Sequence, residues 1–203
     1  MNKSVLFSLL SLALSLPSIS TAENLKEALL NLARSDQKGR YELVEVAKTD
    51  GYNSERFKSL WASQRTRDIE NMAKLKKILD QHGFPGKSLV GKTASEAAFY
   101  VLQHSDIAYQ KKYFPLVRNA VDEGELDPML LAKMEDRILM REDSKQKYGT
   151  QLKSNQEGSL ELVPIEDQFN VDCRRKQVNL PPINDYLRSN NIEPILVKHD
   201  CHE

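Results

Sequence analysis

The chain has 203 residues and is formally neutral at pH 7, because 29 lysines and arginines balance 29 aspartates and glutamates. This balance excludes the broadly basic surface with which proteins bind the phosphates of nucleic acids, so nucleic acid is not an expected partner. A mean hydropathy of −0.54 argues against an integral membrane protein, and a hydrophobic content of 40% is enough for one ordinary core.

Residues 1–22 have the pattern of a secretory signal. Lys3 supplies the positive start, residues 5–16 form a leucine-rich apolar run, and Ser20 and Ala22 are small residues at the expected cleavage site. The run is shorter than the ~20 apolar residues that span a bilayer. We therefore expect an exported protein, periplasmic or extracellular, with one helical domain over residues 23–203 and no membrane span once the signal is removed.

Export also bears on the two cysteines, Cys173 and Cys201. In an oxidising compartment an even pair of cysteines favours a disulfide. Closing a loop of about 28 residues would stabilise the fold by about 3–4 kcal/mol in the chain-entropy account.

Helical periodicity runs from residue 24 to about residue 141. Leu25, Leu29 and Leu32 recur at i, i+4 and i+7, which predicts a first amphipathic helix. A second, long helix is predicted to end at residues 82–85. Its apolar stripe consists of Phe57, Trp61, Met72, Leu75 and Leu79.

Thr93 and Glu96 have the spacing of a capping box, and the helix that follows is apolar nearly all round, which predicts a central, buried position. A further helix is predicted over residues 106–123, kinked or split in two by Pro115.

Asp127 and Pro128 predict the start of another helix, which should end near Lys147. Residues 159–163 alternate in polarity and predict a strand paired with residues 148–152, and residues 183–189 can form a short helix. The expected fold class is mainly α: a bundle-like domain with a short β-hairpin and a small closing helix near the C-terminus.

Polar residues interrupt the apolar stripes at positions that the helical period assigns to the core. Asp36 extends the first stripe, with Arg40 four residues later, and Asp68 lies on the long helix between Gln64 and Asn71. A further set, Asp106 and Gln110, follows His104 at a helix junction. Since a carboxylate that is buried alone costs several kcal/mol, these three aspartates need partners or water. Two arrangements satisfy this requirement. The aspartates can line a shared polar pocket between helices, or they can belong to a structural network in which Asp36 and Arg40 form a surface pair.

Motifs that carry these residues occur in a fixed order along the chain. They are Asp36-Gln37-x-x-Arg40, Asp68-x-x-Asn71, Gly83-Phe84-Pro85 with Gly91, Gln103-His104-x-Asp106, Asp136-Arg137, Gln146-x-Tyr148-Gly149-Thr150-Gln151, and Val171-Asp172-x-Arg174-Arg175 with Tyr186. In this the chain resembles a bacterial domain family of unknown function that is marked by GWP, QHAD, DR and QxYGTQ motifs. It departs from that pattern at Phe84 and Ser105, where the family more often has Trp and Ala. The resemblance implies a mostly helical fold and a polar site that contains His104, but no reaction.

The first functional hypothesis is a module of the cell envelope that binds a small polar or anionic ligand, since amides and arginines suit such ligands. Besides Arg174 and Arg175, the candidate binding residues are Asp36, Gln37, Arg40, Asp68, Asn71, Gln103, His104, Gln110, Asp136, Arg137, Gln146, Tyr148 and Gln151.

The alternative is a hydrolase in which His104 acts as general base, oriented by Asp106 or Asp36, with Arg137 or Tyr148 stabilising negative charge. A third possibility is a structural or protein-interaction domain. No GxSxG or HExxH motif is present, and the four histidines are scattered, so no metal site is predicted. The sequence does not identify a cofactor. The oligomeric state stays open.

Overall fold

The computed structural model describes residues 19–155 and 159–198. The helices over these residues are α1 (Ile19–Gln37), α2 (Arg40–Thr49), α3 (Glu55–His82), α4 (Lys87–Val90), α5 (Lys92–Gln103), α6 (Ile107–Asp122), α7 (Pro128–Arg141), α8 (Val171–Gln177) and α9 (Ile183–Ser189). Strands β1 (Leu152–Ser154) and β2 (Leu160–Leu162) form an antiparallel hairpin before α8. The predicted fold class, a mainly α domain with a short hairpin and a small closing helix, is confirmed. Within the described ranges, no helix combines the length and the apolar character needed to cross a membrane.

Helix α5 lies at the centre of the helical core, as its apolar sequence predicts. Ala98, Phe99 and Leu102 are completely buried, and the helix packs against α1, α3 and α4. Leu29 of α1 and Leu75 of α3 belong to the same core. Burying this helix on nearly all sides removes its apolar surface from water, which is the main stabilising contribution of the bundle.

The start of α5 differs from the capping box predicted at Thr93 and Glu96. The helix begins at Lys92, after Gly91, which has a φ of 80° and donates its N–H to the carbonyl of Lys87 at 2.9 Å. Because a glycine adopts this conformation without strain, α4 runs into α5 through a single residue. No side chain caps the helix, so the predicted cap is wrong.

Helix α6 has its predicted bounds within one residue, whereas the end of α7 differs from prediction. Pro115 does not split α6, because Ile107–Asp122 form one helix that contains this proline. Helix α7 begins after the predicted cap Asp127 but ends at Arg141, not near Lys147. Asp143 has a φ of 54°, and the N–H of Ser144 donates to the carbonyl of Leu139 at 2.9 Å. This is a Schellman ending with an aspartate in the left-handed position where glycine is usual.

The first predicted stripe is divided between two helices. α1 ends at Gln37, and Arg40 begins α2 after Gly39. A Cβ atom at Gly39 would lie 2.5 Å from Oε1 of Gln64 on α3. The chain therefore turns close to the side chain of Gln64, which would have to move to make room for any larger residue at this position.

The C-terminal part forms a second, smaller core around Val171, Ile183 and Leu187. It is joined to the loop between α7 and β1 by Arg175 of α8, which is 1% exposed. Arg175 donates to the carbonyl of Tyr148 in that loop at 2.7 Å and to the carbonyl of Pro181 at 2.6 Å. The sequence analysis predicts α9 but not α8, whose seven residues carry little apolar periodicity.

Asp136 of α7 holds the loop that connects the helical bundle to this second core. Its buried carboxylate accepts hydrogen bonds from the N–H groups of Lys147, Tyr148 and Thr150 and from the Thr150 hydroxyl, at 2.7 to 3.0 Å. Burial raises the pKa of Asp136, and these hydrogen bonds oppose the rise. Residues 147–150 surround this carboxylate, so the partner of the second strand is displaced from the predicted residues 148–152. It is β1, at residues 152–154, which shares only Leu152 with the predicted segment.

We predict that Asp136→Ala lowers the free energy of unfolding by about 3 kcal/mol or more, because it leaves several buried donors without an acceptor. Urea denaturation followed by circular dichroism measures the change. Asp122→Ala, at an exposed position near the end of α6, is the control and should change the value by less than about 0.5 kcal/mol. Equal effects of the two substitutions would contradict this role for Asp136.

Candidate functional site

The candidate site is built around the carboxylate of Asp36, in the last turn of α1. The residue is 1% exposed, and three side chains bind its oxygens. Gln37 donates from Nε2 at 2.8 Å, and Arg40 donates from Nη2 and Nε at 3.0 and 3.3 Å. His104, at the end of α5, places Nδ1 2.9 and 3.0 Å from the two oxygens. Since an ionised carboxylate only accepts, Nδ1 of His104 carries the hydrogen of this contact.

Arg40 links this cluster to the long helix α3. Its Nη2 donates to Oδ1 of Asp68 at 2.6 Å. Gln64, one turn earlier on α3, donates from Nε2 to the same oxygen at 2.7 Å and to the backbone carbonyl of Asp36 at 3.0 Å. The ends of α1 and α5, the start of α2 and the middle of α3 are thus joined by one hydrogen-bonded network.

The electrostatic balance at Asp36 favours the carboxylate. Burial acts to raise its pKa, but hydrogen bonds and charge interactions with His104 and Arg40 outweigh burial and lower the pKa below its usual value. Asp36 is therefore a permanent anion near neutral pH. The description of Asp36 and Arg40 as a surface pair is wrong, because Asp36 is completely buried.

A cavity of about 440 Å³ opens beside this network, between α2, α3, the α5–α6 turn and α7. Its lining includes four arginines, Arg40, Arg65, Arg137 and Arg141, but only two acidic residues, Asp68 and Asp106. His104 also lines the cavity; its Nδ1 is engaged by Asp36, and Nε2 has no hydrogen-bond partner among the described residues.

Arg137 is the most unusual of the lining residues. Its one hydrogen bond among the described residues runs from Nε to Oε1 of Gln151 at 3.1 Å, and in the same ranges no acidic group lies within 4.0 Å of it. Burial lowers the pKa of Arg137 to about 10, and the charges of Arg141 and Arg40 contribute to the shift. A half-buried guanidinium that lacks an anion loses solvation without compensation. The cavity therefore contains a positive group that has no acidic partner among the described residues.

The two other arginines of the cavity are less constrained. Arg141 donates from Nη1 to the backbone carbonyl of Ser105 at 2.8 Å and follows Arg137 by one turn on α7. Arg65 on α3 is exposed, and no ion pair is formed by it in the described part of the chain. Neither residue is a candidate from the sequence analysis, although the i, i+4 spacing of Arg137 and Arg141 places both on one face of a helix.

Asp106 differs from the expectation of a buried carboxylate. It is exposed, because it precedes the first turn of α6, and it lines the cavity without contacting His104. The group that orients His104 is Asp36. Asn71 is buried, and neither atom of its amide has a hydrogen-bond partner in the described ranges.

Several predicted amides support the fold at the edge of the site. Gln110 donates to the carbonyls of Gln103 and Ser105 at 2.7 and 3.1 Å and so fastens the α5–α6 turn. Gln103 donates to the carbonyl of Lys133 at 3.2 Å. Gln146 donates to the carbonyls of Gln151 and Val163 and so holds the hairpin.

The remaining predicted residues lie around the loop after α7. Asp136 accepts hydrogen bonds from N–H groups of the loop. Of the two residues predicted to stabilise negative charge, Arg137 lines the cavity and Tyr148 does not. Arg174 and Arg175 donate to backbone carbonyls and do not line the cavity. Gln151 is the link between this loop and the cavity, through Arg137.

Cys173 lies on α8, while Cys201 lies outside the described residues, so their disulfide stays a prediction. The predicted signal at residues 1–22 lies almost entirely outside the described residues as well.

We predict that Asp36→Asn lowers the free energy of unfolding by about 3 kcal/mol at pH 7, because it removes the anion that Arg40 and His104 bind. Since the folded pKa of Asp36 is lowered, its contribution is present above the ordinary value of 3.8 and is lost as pH falls through the folded pKa. The difference between wild type and variant should therefore shrink at acid pH.

Urea denaturation at a series of pH values from neutral to strongly acid measures this difference. Asp122→Asn is the matched control, with no pH-dependent effect expected. A difference for Asp36→Asn that stays constant over the whole series would show that its charge does not stabilise the fold.

Comparison with curated proteins and with solved structures finds no match. Residues 23–194 match one protein family, described as Family of unknown function (DUF6624). The match contains all the helices from α2 to α9, the hairpin and the whole candidate site, and it agrees with the resemblance noted from the motifs. The chain therefore belongs to this family of unknown function.

Proposed function

We propose that the protein binds a small anion, a carboxylate or a phosphate, in the cavity between α2, α3, the α5–α6 turn and α7. The observation that carries this proposal is Arg137, a half-buried guanidinium at the cavity with no acidic partner among the described residues. Arginine binds carboxylates and phosphates through two parallel N–H groups, which remain available when only Nε is engaged.

The charges around the cavity support the same proposal. Arg40 forms ion pairs with Asp36 and Asp68, so its charge is already neutralised and its side chain is fixed at the edge of the cavity. Arg137 and Arg141 are not paired in this way within the described residues, and their mutual repulsion would be relieved by an anion bound between them. A volume of about 440 Å³ lies within the range of small-molecule sites.

We also propose that the protein acts outside the cytoplasm, with residues 1–22 as its export signal. The family match begins at residue 23, directly after the predicted cleavage site. In that compartment Cys173 and Cys201 would form the disulfide that the sequence analysis predicts.

We predict that inorganic phosphate raises the melting temperature of the wild-type protein and has no effect on Arg137→Met. A ligand at a hundredfold excess over its Kd stabilises the folded state by about 2.7 kcal/mol. Without ligand, Arg137→Met should melt within a few degrees of wild type, because the lost Gln151 hydrogen bond is offset by the removal of an unpaired buried charge.

Arg118→Met is the control, since it removes the same charge from an exposed arginine of α6 outside the cavity. It should respond to phosphate as wild type does. An equal response in both variants would exclude Arg137 as the anion site. Acetate in parallel distinguishes a carboxylate site from a phosphate site.

A second candidate function is hydrolysis, and the contact between Asp36 and His104 favours it. Asp36 holds Nδ1–H of His104, which leaves Nε2 as the basic nitrogen on a ring that lines the cavity. Nε2 would take a proton from water, the oxygen would attack a phosphorus or carbonyl carbon held by Arg137, and the leaving group would take the proton from Nε2.

We predict that, if the protein hydrolyses esters, His104→Gln lowers kcat by about a hundredfold or more, the usual size of a general-base contribution. Para-nitrophenyl phosphate and para-nitrophenyl acetate are the probes. The variant should still bind phosphate, because Arg137 is intact. Turnover that is unchanged in His104→Gln would exclude this role.

A further inference from the structure

One wall of the cavity carries several apolar side chains. It is formed by a column of α3 residues at four-residue spacing, Trp61, Arg65, Ile69 and Ala73. Such spacing places all four side chains on one face of the helix. The cavity is therefore cationic on the side of α7 and largely apolar on the side of α3.

The apolar residues of this column are exposed to an extent that the core does not require. Trp61 is 49% exposed and Ile69 is 60% exposed, although the helical stripe predicts that Trp61 lies in the core with Met72, Leu75 and Leu79. The prediction is correct for the last three and wrong for Trp61. Large apolar side chains that face a cavity mark a surface that gains free energy when a ligand covers it.

The indole of Trp61 is held as a flat surface. Its ring stacks nearly parallel to that of Phe57, with an angle of 7° between the planes and 6.4 Å between the ring centres. Aromatic rings prefer such offset stacked arrangements with other rings. A planar ring on the ligand would match this wall better than a branched aliphatic group.

From these observations we infer that the anion bound by this cavity carries an aromatic ring. The inference rests on the proposed function and names its ligand class: the carboxylate or phosphate binds Arg137 and Arg141, and the ring covers Trp61 and Ile69. Arg65 lies between Trp61 and Ile69 in the column and also lines the cavity.

Tryptophan fluorescence can follow ligand binding directly at this wall, because Trp61 is the one tryptophan in the sequence. Its fluorescence should change when phenyl phosphate is titrated into the protein. Phenyl phosphate should bind about tenfold more tightly than inorganic phosphate, as expected when the apolar surface of a ring is buried. Benzoate and acetate form the matched pair for a carboxylate site.

Calorimetry with Trp61→Ala gives the second measurement. The variant should bind inorganic phosphate as wild type does but lose the preference for phenyl phosphate. Phe169→Ala removes an aromatic side chain that is 55% exposed and lies outside the cavity, so it should keep the preference. Unchanged melting temperatures establish that both variants fold.

The outcomes separate the inference from the proposed function. If phosphate binds and the phenyl group adds no affinity, the aromatic ligand is wrong while the anion site stands. If Trp61→Ala still binds phenyl phosphate more tightly than inorganic phosphate, the proposed contact between Trp61 and the aromatic ring is wrong. If none of the four anions binds, both proposals are overturned.

Discussion

The candidate site depends on one buried charge, the carboxylate of Asp36. A carboxylate with an exposure of 1% is tolerated only if its oxygens are bound by donors, and three side chains do so. Two of these, Arg40 and His104, belong to other helices, so satisfying the charge also fixes where α1, α2 and α5 meet. The position of His104 at the cavity follows from the same requirement.

Two adjacent charged residues of α7, Asp136 and Arg137, differ in how their charges are satisfied. Asp136 accepts hydrogen bonds from four donors in the loop after α7, and these bonds join the second core to the bundle. Arg137, the next residue on α7, is poorly satisfied by comparison: in the described ranges it makes one hydrogen bond and has no acidic partner. Natural folds satisfy their buried polar groups, and an exception at a cavity is typical of a ligand site.

Predictions from the sequence succeeded where one strong local signal decided the outcome. Asp127 followed by Pro128 starts α7, and the apolar surface of α5 places that helix in the centre. They failed where a helix ended through a weak signal: Asp143 takes the left-handed position that glycine usually occupies, and Gly39 divides a stripe that reads as continuous. The first ending is made by a backbone hydrogen bond from Ser144 to Leu139, and at the second the chain passes close to Gln64 of α3. Hydrophobic periodicity reports neither contact.

The sequence by itself determined the helical class and the presence of polar residues on apolar stripes, because each depends on spacing within one segment. The tertiary structure alone decided which of them meet. His104 binds Asp36, which is 68 residues away in the chain, and not its near neighbour Asp106, since α6 starts by turning Asp106 towards solvent. Periodicity assigns a residue to a face of its own helix, but only packing determines which other helix that face contacts.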